Sequence, residues 1–355
     1  MSIRPSVRAA AAYHFSARPA RIKLDQNESP YDLPQKLKRE IWTRLETLPW
    51  NRYSEIAAES LRTAIAHYHG WDEAGVVVAG GSNVLIHAFV AACGIEQRVL
   101  SVKPTFAIYG EHARLLGAPL TEVPLNNDFS LPVPELLTQL ESGPGVFFLA
   151  NPAAPTGNAF SKEAMERLLE AATPDWTVVF DEAYHQFADT DLLDLVKISP
   201  NAASLRTFSK AFGLGGVRLG YALTSPDFAK NIQKMLLPFS VSALQVATGL
   251  TVLEHPDYVA ERAKEARQER AILYSELIRL PGLTVYPSQT NFILFRVPNA
   301  EAFYAALLGQ GILIRRQDHL PGLEGCLRVS VGTPDENRAF LAAAKEISEN
   351  VRVHG

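Results

Sequence analysis

Cysteine is scarce in this chain: of 355 residues only Cys93 and Cys326 carry a thiol, far apart and without metal-ligand spacing. That excludes a disulfide framework and argues for a reduced compartment, with each thiol filling a core rather than acting in catalysis. An excess of basic charge is also lacking. The 34 Lys and Arg are outweighed by 38 Asp and Glu, for a formal net charge of -4, so no basic patch advertises nucleic acid. Although 47% of the residues are hydrophobic, no apolar run approaches the roughly 18 residues needed to cross a bilayer. The segment Met1 to Tyr13 has arginines and a run of alanines but no apolar core or cleavage region of a secretory signal, so no membrane association and a cytoplasmic location are expected. Gly-Lys-Ser and Gly-Lys-Thr are both absent, which removes the phosphate loop of an ATPase. There is no internal repeat, low-complexity tract or disordered linker.

What is present alternates. Val76 to Ala79, Val99 to Val102, Val146 to Leu149 and Thr177 to Phe180 are short apolar runs of the kind buried on both faces of a sheet, and Ala203 to Phe208 has an extended, partly apolar pattern. Helical stretches lie between them. One starts at Ser161, a good N-cap, and sets Met165, Leu168 and Leu169 on one face. The pattern predicts an α/β architecture with a mostly parallel central sheet. After about residue 250 the texture changes to a long charged helix from Pro256 toward Leu280. Extended segments follow at 283–286, 291–295, 312–314 and 326–331, and then a last amphipathic helix from Pro334. A large domain over 31–250 and a smaller C-terminal α+β domain over 251–355 are therefore expected, preceded by an N-terminal arm over 1–30.

Chemistry gathers around Lys210. A lysine is ordinarily a solvated surface charge. Here it follows a predicted strand, with Ser209 beside it, Gly213, Gly215 and Gly216 allowing a tight turn behind it, and Arg218 further on. An amine at the end of a sheet strand stands where open α/β sheets bind ligands. Upstream, Val76 to Ala79 run into Gly80-Gly81-Ser82-Asn83 and then a helix. Free amides at such a helix start form an anion site, which Thr207, Ser209 and Arg218 could complete. Asp181 closes a buried strand. It could be a metal-binding carboxylate, half of a structural ion pair, or the partner of a pyridinium nitrogen. With the phosphate loop missing, the acid, the lysine, the hydroxyl and the arginine together suit the binding of pyridoxal 5'-phosphate as a Schiff base, with Tyr184 within reach of the ring oxygen.

These pieces resemble the fold-type I pyridoxal-phosphate aminotransferases and, among them, the histidinol-phosphate aminotransferase family. The resemblance spans nearly the whole chain: Lys23 to Pro30, Asn51-Arg52-Tyr53, Pro104-Thr105-Phe106, Pro155-Thr156-Gly157, Asp181 to Tyr184, Ser209 to Arg218, and Leu327 to Thr333. It implies that Lys210 carries the cofactor and moves the substrate proton, Asp181 pairs with the pyridine nitrogen, Tyr184 meets the ring oxygen and Phe106 stacks on the ring. Gly81, Ser82, Asn83, Thr207, Ser209 and Arg218 would hold the phosphate, with Tyr53 reaching in from a second subunit of a homodimer. For the substrate, Arg328 would meet the acidic group, Arg315 the phosphate, and Tyr13 would cover the pocket.

The implied reaction is transamination between L-histidinol phosphate and 2-oxoglutarate, giving imidazole-acetol phosphate and L-glutamate in histidine biosynthesis. Alternatives are an aromatic amino-acid aminotransferase, a related phosphothreonine decarboxylase, or a cofactor-binding protein that no longer turns over. Three positions depart from the family's pattern. Ala153 and Ala154 stand where similar enzymes carry amides, leaving Tyr184 to serve the ring oxygen alone. Asn83-Val84 replace an acidic pair after the glycine turn, and Arg316 stands where an acid is common, which predicts a more basic pocket edge.

Overall fold

The computed structural model describes residues 2–10 and 18–353. Its larger sheet has seven strands in the spatial order Val76–Ala79, Gly220–Thr224, Ala202–Thr207, Trp176–Asp181, Gly145–Ala150, Val99–Lys103 and Leu120–Pro124. All neighbouring pairs are parallel except those made by Gly220–Thr224, which runs antiparallel to both its neighbours. The apolar runs read from the sequence are buried because helices cover both faces. Val76 and Val78 join the core on one side while Val77 and Ala79 join the other, the period of two that a strand imposes. In the strand Gly145–Ala150, Phe147 and Leu149 pack on the helix Lys162–Ala171 side, and Val146 and Phe148 pack on the opposite side. Each such side chain contributes on the order of 2 kcal/mol by leaving water. Helix Lys162–Ala171 starts as its sequence predicts, with the Ser161 hydroxyl accepting from the Ala164 amide at 3.2 Å.

Two strands of this sheet escape sequence inspection. Leu120–Pro124 is only half buried at the sheet edge, so its apolar pattern is weak. Gly220–Thr224 opens on a glycine, which normally weakens a strand. That glycine is required by packing: a Cβ at Gly220 would lie 2.3 Å from the Ser82 amide nitrogen. The strand and the glycine turn after Val76–Ala79 are thus pressed together with no room for a side chain.

The smaller sheet is antiparallel, in the order Arg315–Arg316, Cys326–Ser330, Phe292–Arg296 and Thr284–Val285. Helices Pro256–Leu277, Ala300–Gly309 and Pro334–Val353 accompany it. The N-terminal segment contributes to this unit. Ile22 and Lys23 pair in parallel with Ile312 and Leu313, and Ile22 and Leu24 enter the core formed by Ile293, Phe295 and Phe340. The chain then crosses to the larger sheet at Gln26 and Asn27. Among the described residues no helix is long and apolar enough to cross a membrane, and no group of three or more His, Cys, Asp or Glu is placed to hold a metal ion.

Candidate active site

Parallel strands leave their carboxyl ends on one edge of the sheet, and the loops that follow define an open cleft of about 1410 Å³. Lys210, Tyr184, Phe106, Arg218, Arg315 and Arg328 all line it. The larger unit supplies the first four; the arginines of the smaller sheet close the other side. Arg315 and Arg328 face one another in strand register. The Arg328 guanidinium donates to the Asp25 carbonyl at 2.9 Å and lies 5.1 Å from the Phe292 ring centre.

Lys210 follows the strand Ala202–Thr207, and its amine donates to the Gln26 carbonyl at 3.0 Å. Burial is the main reason its pKa falls from 10.5 to about 8, and the nearby Arg328 charge lowers it further. Asp181 ends the strand Trp176–Asp181 with its carboxylate buried. Desolvation raises its pKa to about 6, opposed by two donors. The Tyr109 hydroxyl donates to Oδ2 at 2.6 Å and the Ala183 amide donates to Oδ1 at 3.1 Å. Tyr109, in helix Ile108–Leu116, is itself fully buried and stacks on Phe148 at 4.9 Å, so its hydroxyl has a fixed direction. Glu182, the next residue, serves a different purpose. It points into the protein and pairs with the buried Arg206 at 2.9 Å, whereas Asp181 is the acid whose carboxylate feels the Lys210 charge.

A chain of contacts joins the residues expected to form an anion cup. Gly81, at φ +104°, precedes helix Ser82–Cys93, and no side chain caps the helix's first amides. A Cβ on Gly81 would come within 2.8 Å of the Arg218 guanidinium, so glycine lets that cation approach the helix start. Arg218 in turn donates to the Ser209 hydroxyl at 3.4 Å and the Gly215 carbonyl at 3.1 Å, and the Ser209 amide donates to Thr207 Oγ1 at 3.1 Å. Cation, hydroxyls and helix amides therefore converge as an anion needs. Phe106 meets Tyr109 edge to face at 5.7 Å.

Not every expected residue sits in this cleft. Tyr53 lies on the surface, 86% exposed, with its ring 4.9 Å from Phe239. Tyr13 lies outside the described residues. Arg316 does not make the pocket edge more basic as its sequence position suggested, because Asp318 binds it bidentately at 3.0 and 2.7 Å. Two residues escaped sequence inspection. Tyr109 carries no local signal beyond its place after Pro104-Thr105-Phe106, and Asn27, whose amide donates to the Tyr184 hydroxyl at 2.9 Å, is remote from Tyr184 in the chain.

The sheet order and the lysine at its carboxyl edge define a fold-type I cofactor enzyme. The family described as aminotransferase class I and II matches residues 19–344, and the chain belongs to that family, whose members depend on pyridoxal phosphate. More narrowly it stands among the histidinol-phosphate aminotransferases. It is 49% identical over 343 residues to the histidinol-phosphate aminotransferase of Deinococcus radiodurans, covering 96% of this chain and 95% of that one. With the enzyme of the same name from Thermococcus kodakarensis it shares 39% identity, covering 97% and 98%. Among solved structures, the Sinorhizobium meliloti histidinol-phosphate aminotransferase in complex with pyridoxal-5'-phosphate has the same fold, with a TM-score of 0.88 at 24% identity over 99% of this chain and 98% of that one. An L-threonine-O-3-phosphate decarboxylase from Porphyromonas gingivalis also superposes, with a TM-score of 0.79 at 25% identity over 92% and 99%.

Proposed function

We propose that this chain catalyses transamination between L-histidinol phosphate and 2-oxoglutarate, a reaction of histidine biosynthesis, with pyridoxal 5'-phosphate held in the cleft. The observation that carries the proposal is the convergence on one cleft of a lysine with pKa about 8 and two arginines from the smaller sheet. The site fits the cofactor. A phosphate suits the amides of Ser82 and Asn83 with Thr207, Ser209 and Arg218, and glycine at position 81, with φ +104°, lets the Arg218 guanidinium come close. When bound, pyridoxal phosphate supplies an aldehyde that condenses with amines and a protonated ring that draws electrons from the carbon bearing the amine.

The chain's own residues do the rest. Lys210 would hold the cofactor through its amine and, when neutral, would accept and return a proton at Nζ. Asp181, whose ionised form Tyr109 and Ala183 support, would hold the protonated ring nitrogen. Phe106 would support the cofactor ring, and Tyr184 would donate a hydrogen bond to it. Arg328 orients the carboxylate of glutamate, and Arg315 gives the phosphate of histidinol phosphate a guanidinium partner.

A homodimer in the cytoplasm, with Tyr53 reaching the partner's phosphate cup, completes the reading. Its support is a set of large apolar side chains that one copy of the chain leaves exposed. Trp50 is 74% exposed and Leu237 77%, and they lie on the same chain segments as Tyr53 and Phe239. The domain limits 1–30, 31–250 and 251–355 belong to the same proposal, with the cleft between the last two.

The test is the visible spectrum of the purified protein under single turnover. Loss of the cofactor band with L-histidinol phosphate at far lower concentration than with L-phenylalanine is expected. Equal or reversed preference would replace this substrate with aromatic amino acids, and release of carbon dioxide would make the enzyme a decarboxylase.

A further inference from the structure

Asn27 is buried between three parts of the chain and makes a hydrogen bond with each polar group it has. Its backbone sits at φ +55°, a left-handed conformation that asparagine tolerates better than most residues. Its amide N–H donates to Ser330 Oγ at 2.8 Å, and its carbonyl accepts from Asn291 Nδ2 at 3.1 Å. Its side-chain Oδ1 accepts from Ser330 Oγ at 3.1 Å and its Nδ2 donates to the Tyr184 hydroxyl at 2.9 Å.

Donor and acceptor roles in this junction follow from one another. The backbone N–H can only donate, so Ser330 Oγ accepts it and spends its own proton on Asn27 Oδ1. The side-chain amide is thereby oriented with Nδ2 toward Tyr184. The opposite orientation would strand the Ser330 proton in a buried junction, since that hydroxyl donates to no other oxygen among the described residues. An amide NH₂ facing the phenol oxygen forces that oxygen to accept, and the phenol proton must then point elsewhere. Tyr184 lines the cleft, with the Lys210 amine 5.8 Å from its ring centre.

We propose that Asn27 is a positioning residue which, held by Ser330, fixes the Tyr184 hydroxyl as a donor into the cleft, aimed at an anionic oxygen of the bound cofactor. The proposal rests on the cofactor reading above and adds a residue to it. It also gives the N-terminal crossing at Gln26 and Asn27 a chemical task besides its structural one, because Asn27 ties Tyr184 of the larger unit to Ser330 of the smaller sheet.

The experiment compares wild type, Asn27→Gly, Asn27→Asp and Tyr184→Phe, with the Asn27→Gly/Tyr184→Phe double variant. Glycine and aspartate both accept the left-handed backbone, so folding is retained and is checked by the melting temperature. Two properties are read without substrate: the dissociation constant of pyridoxal 5'-phosphate and the pH midpoint of its visible band. Asn27→Gly is expected to weaken binding about tenfold, the equivalent of one hydrogen bond, and to raise the midpoint, since less stabilisation of the anionic oxygen favours protonation. In the Tyr184→Phe background the same substitution should change binding less than twofold. Asn27→Asp should lose at least as much as Asn27→Gly, because a carboxylate can only accept and draws the phenol proton away from the cleft.

Effects of Asn27→Gly that persist undiminished without the Tyr184 hydroxyl would overturn the proposal, as would an Asn27→Asp protein that binds cofactor like wild type. A wild type without any cofactor band would instead bring down the cofactor reading itself, and this inference with it.

Discussion

The Tyr109 phenol donates to Asp181 Oδ2 across 2.6 Å, from a helix on one face of the large sheet to the carboxyl end of a strand within it. Burial of Asp181 favours its neutral form, and this bond opposes that tendency. Tyr109→Phe removes the donor and keeps the ring that stacks on Phe148. A hydrogen bond to a charged group contributes about 1.5–3 kcal/mol, or about one to two pKa units. The pKa of Asp181, already about 6, should rise. The acid limb of the kcat/KM profile is expected to move up by a unit or more, so activity falls further at pH 6 than at pH 8.

Lys210 acts in the same direction, since its neutral amine is also favoured as pH rises. Its folded pKa of about 8 lies below the ordinary 10.5, so the reactive neutral amine becomes dominant as pH rises through 8 rather than through 10.5. The rate at which cofactor-free protein captures pyridoxal phosphate should rise with a midpoint near 8. Arg328→Gln removes a charge that depresses this pKa, and the midpoint should shift upward; an unchanged midpoint would mean that Arg328 plays no part in lowering it.

Arg315 and Arg328 stand side by side in register, yet they are assigned different groups. Arg315→Gln should raise KM for L-histidinol phosphate by about ten- to a hundredfold, as loss of a charge-assisted hydrogen bond implies. The half-reaction with L-glutamate, which carries no phosphate, should stay within about threefold by the same reasoning. Separate stopped-flow measurements of the two half-reactions check this, and equal losses in both would remove Arg315 from phosphate recognition.

Tyr53 can serve the cleft only from another copy of the chain, since its ring packs on Phe239 at the surface. Tyr53→Ala and Lys210→Ala proteins should each be inactive, and a mixture that is unfolded and refolded together should recover activity through dimers with one intact site. No recovery would count against a shared site.

The local chemistry was legible in the chain because its signals are local. Ser161 caps the amide of Ala164 three residues on, and Arg218 reaches the Ser209 hydroxyl nine residues back, contacts that are short-range in sequence. Gly220–Thr224 was missed for the converse reason. Its glycine reads as a weak strand start until the Ser82 amide is seen pressed against it.

Sequence alone was therefore enough for the α/β alternation and for setting Lys210 and the glycine turn at Gly81 behind strands, since hydrophobic period and glycine turns act over a few residues. Only the tertiary structure decided which groups answer the buried charges. Tyr109 reaches Asp181, Asn27 reaches Tyr184, Asp318 neutralises Arg316, and the strand at Ile22 joins the C-terminal unit. Nearly all of these partners lie far apart along the chain, and burial without a partner is costly, so the fold itself selects them.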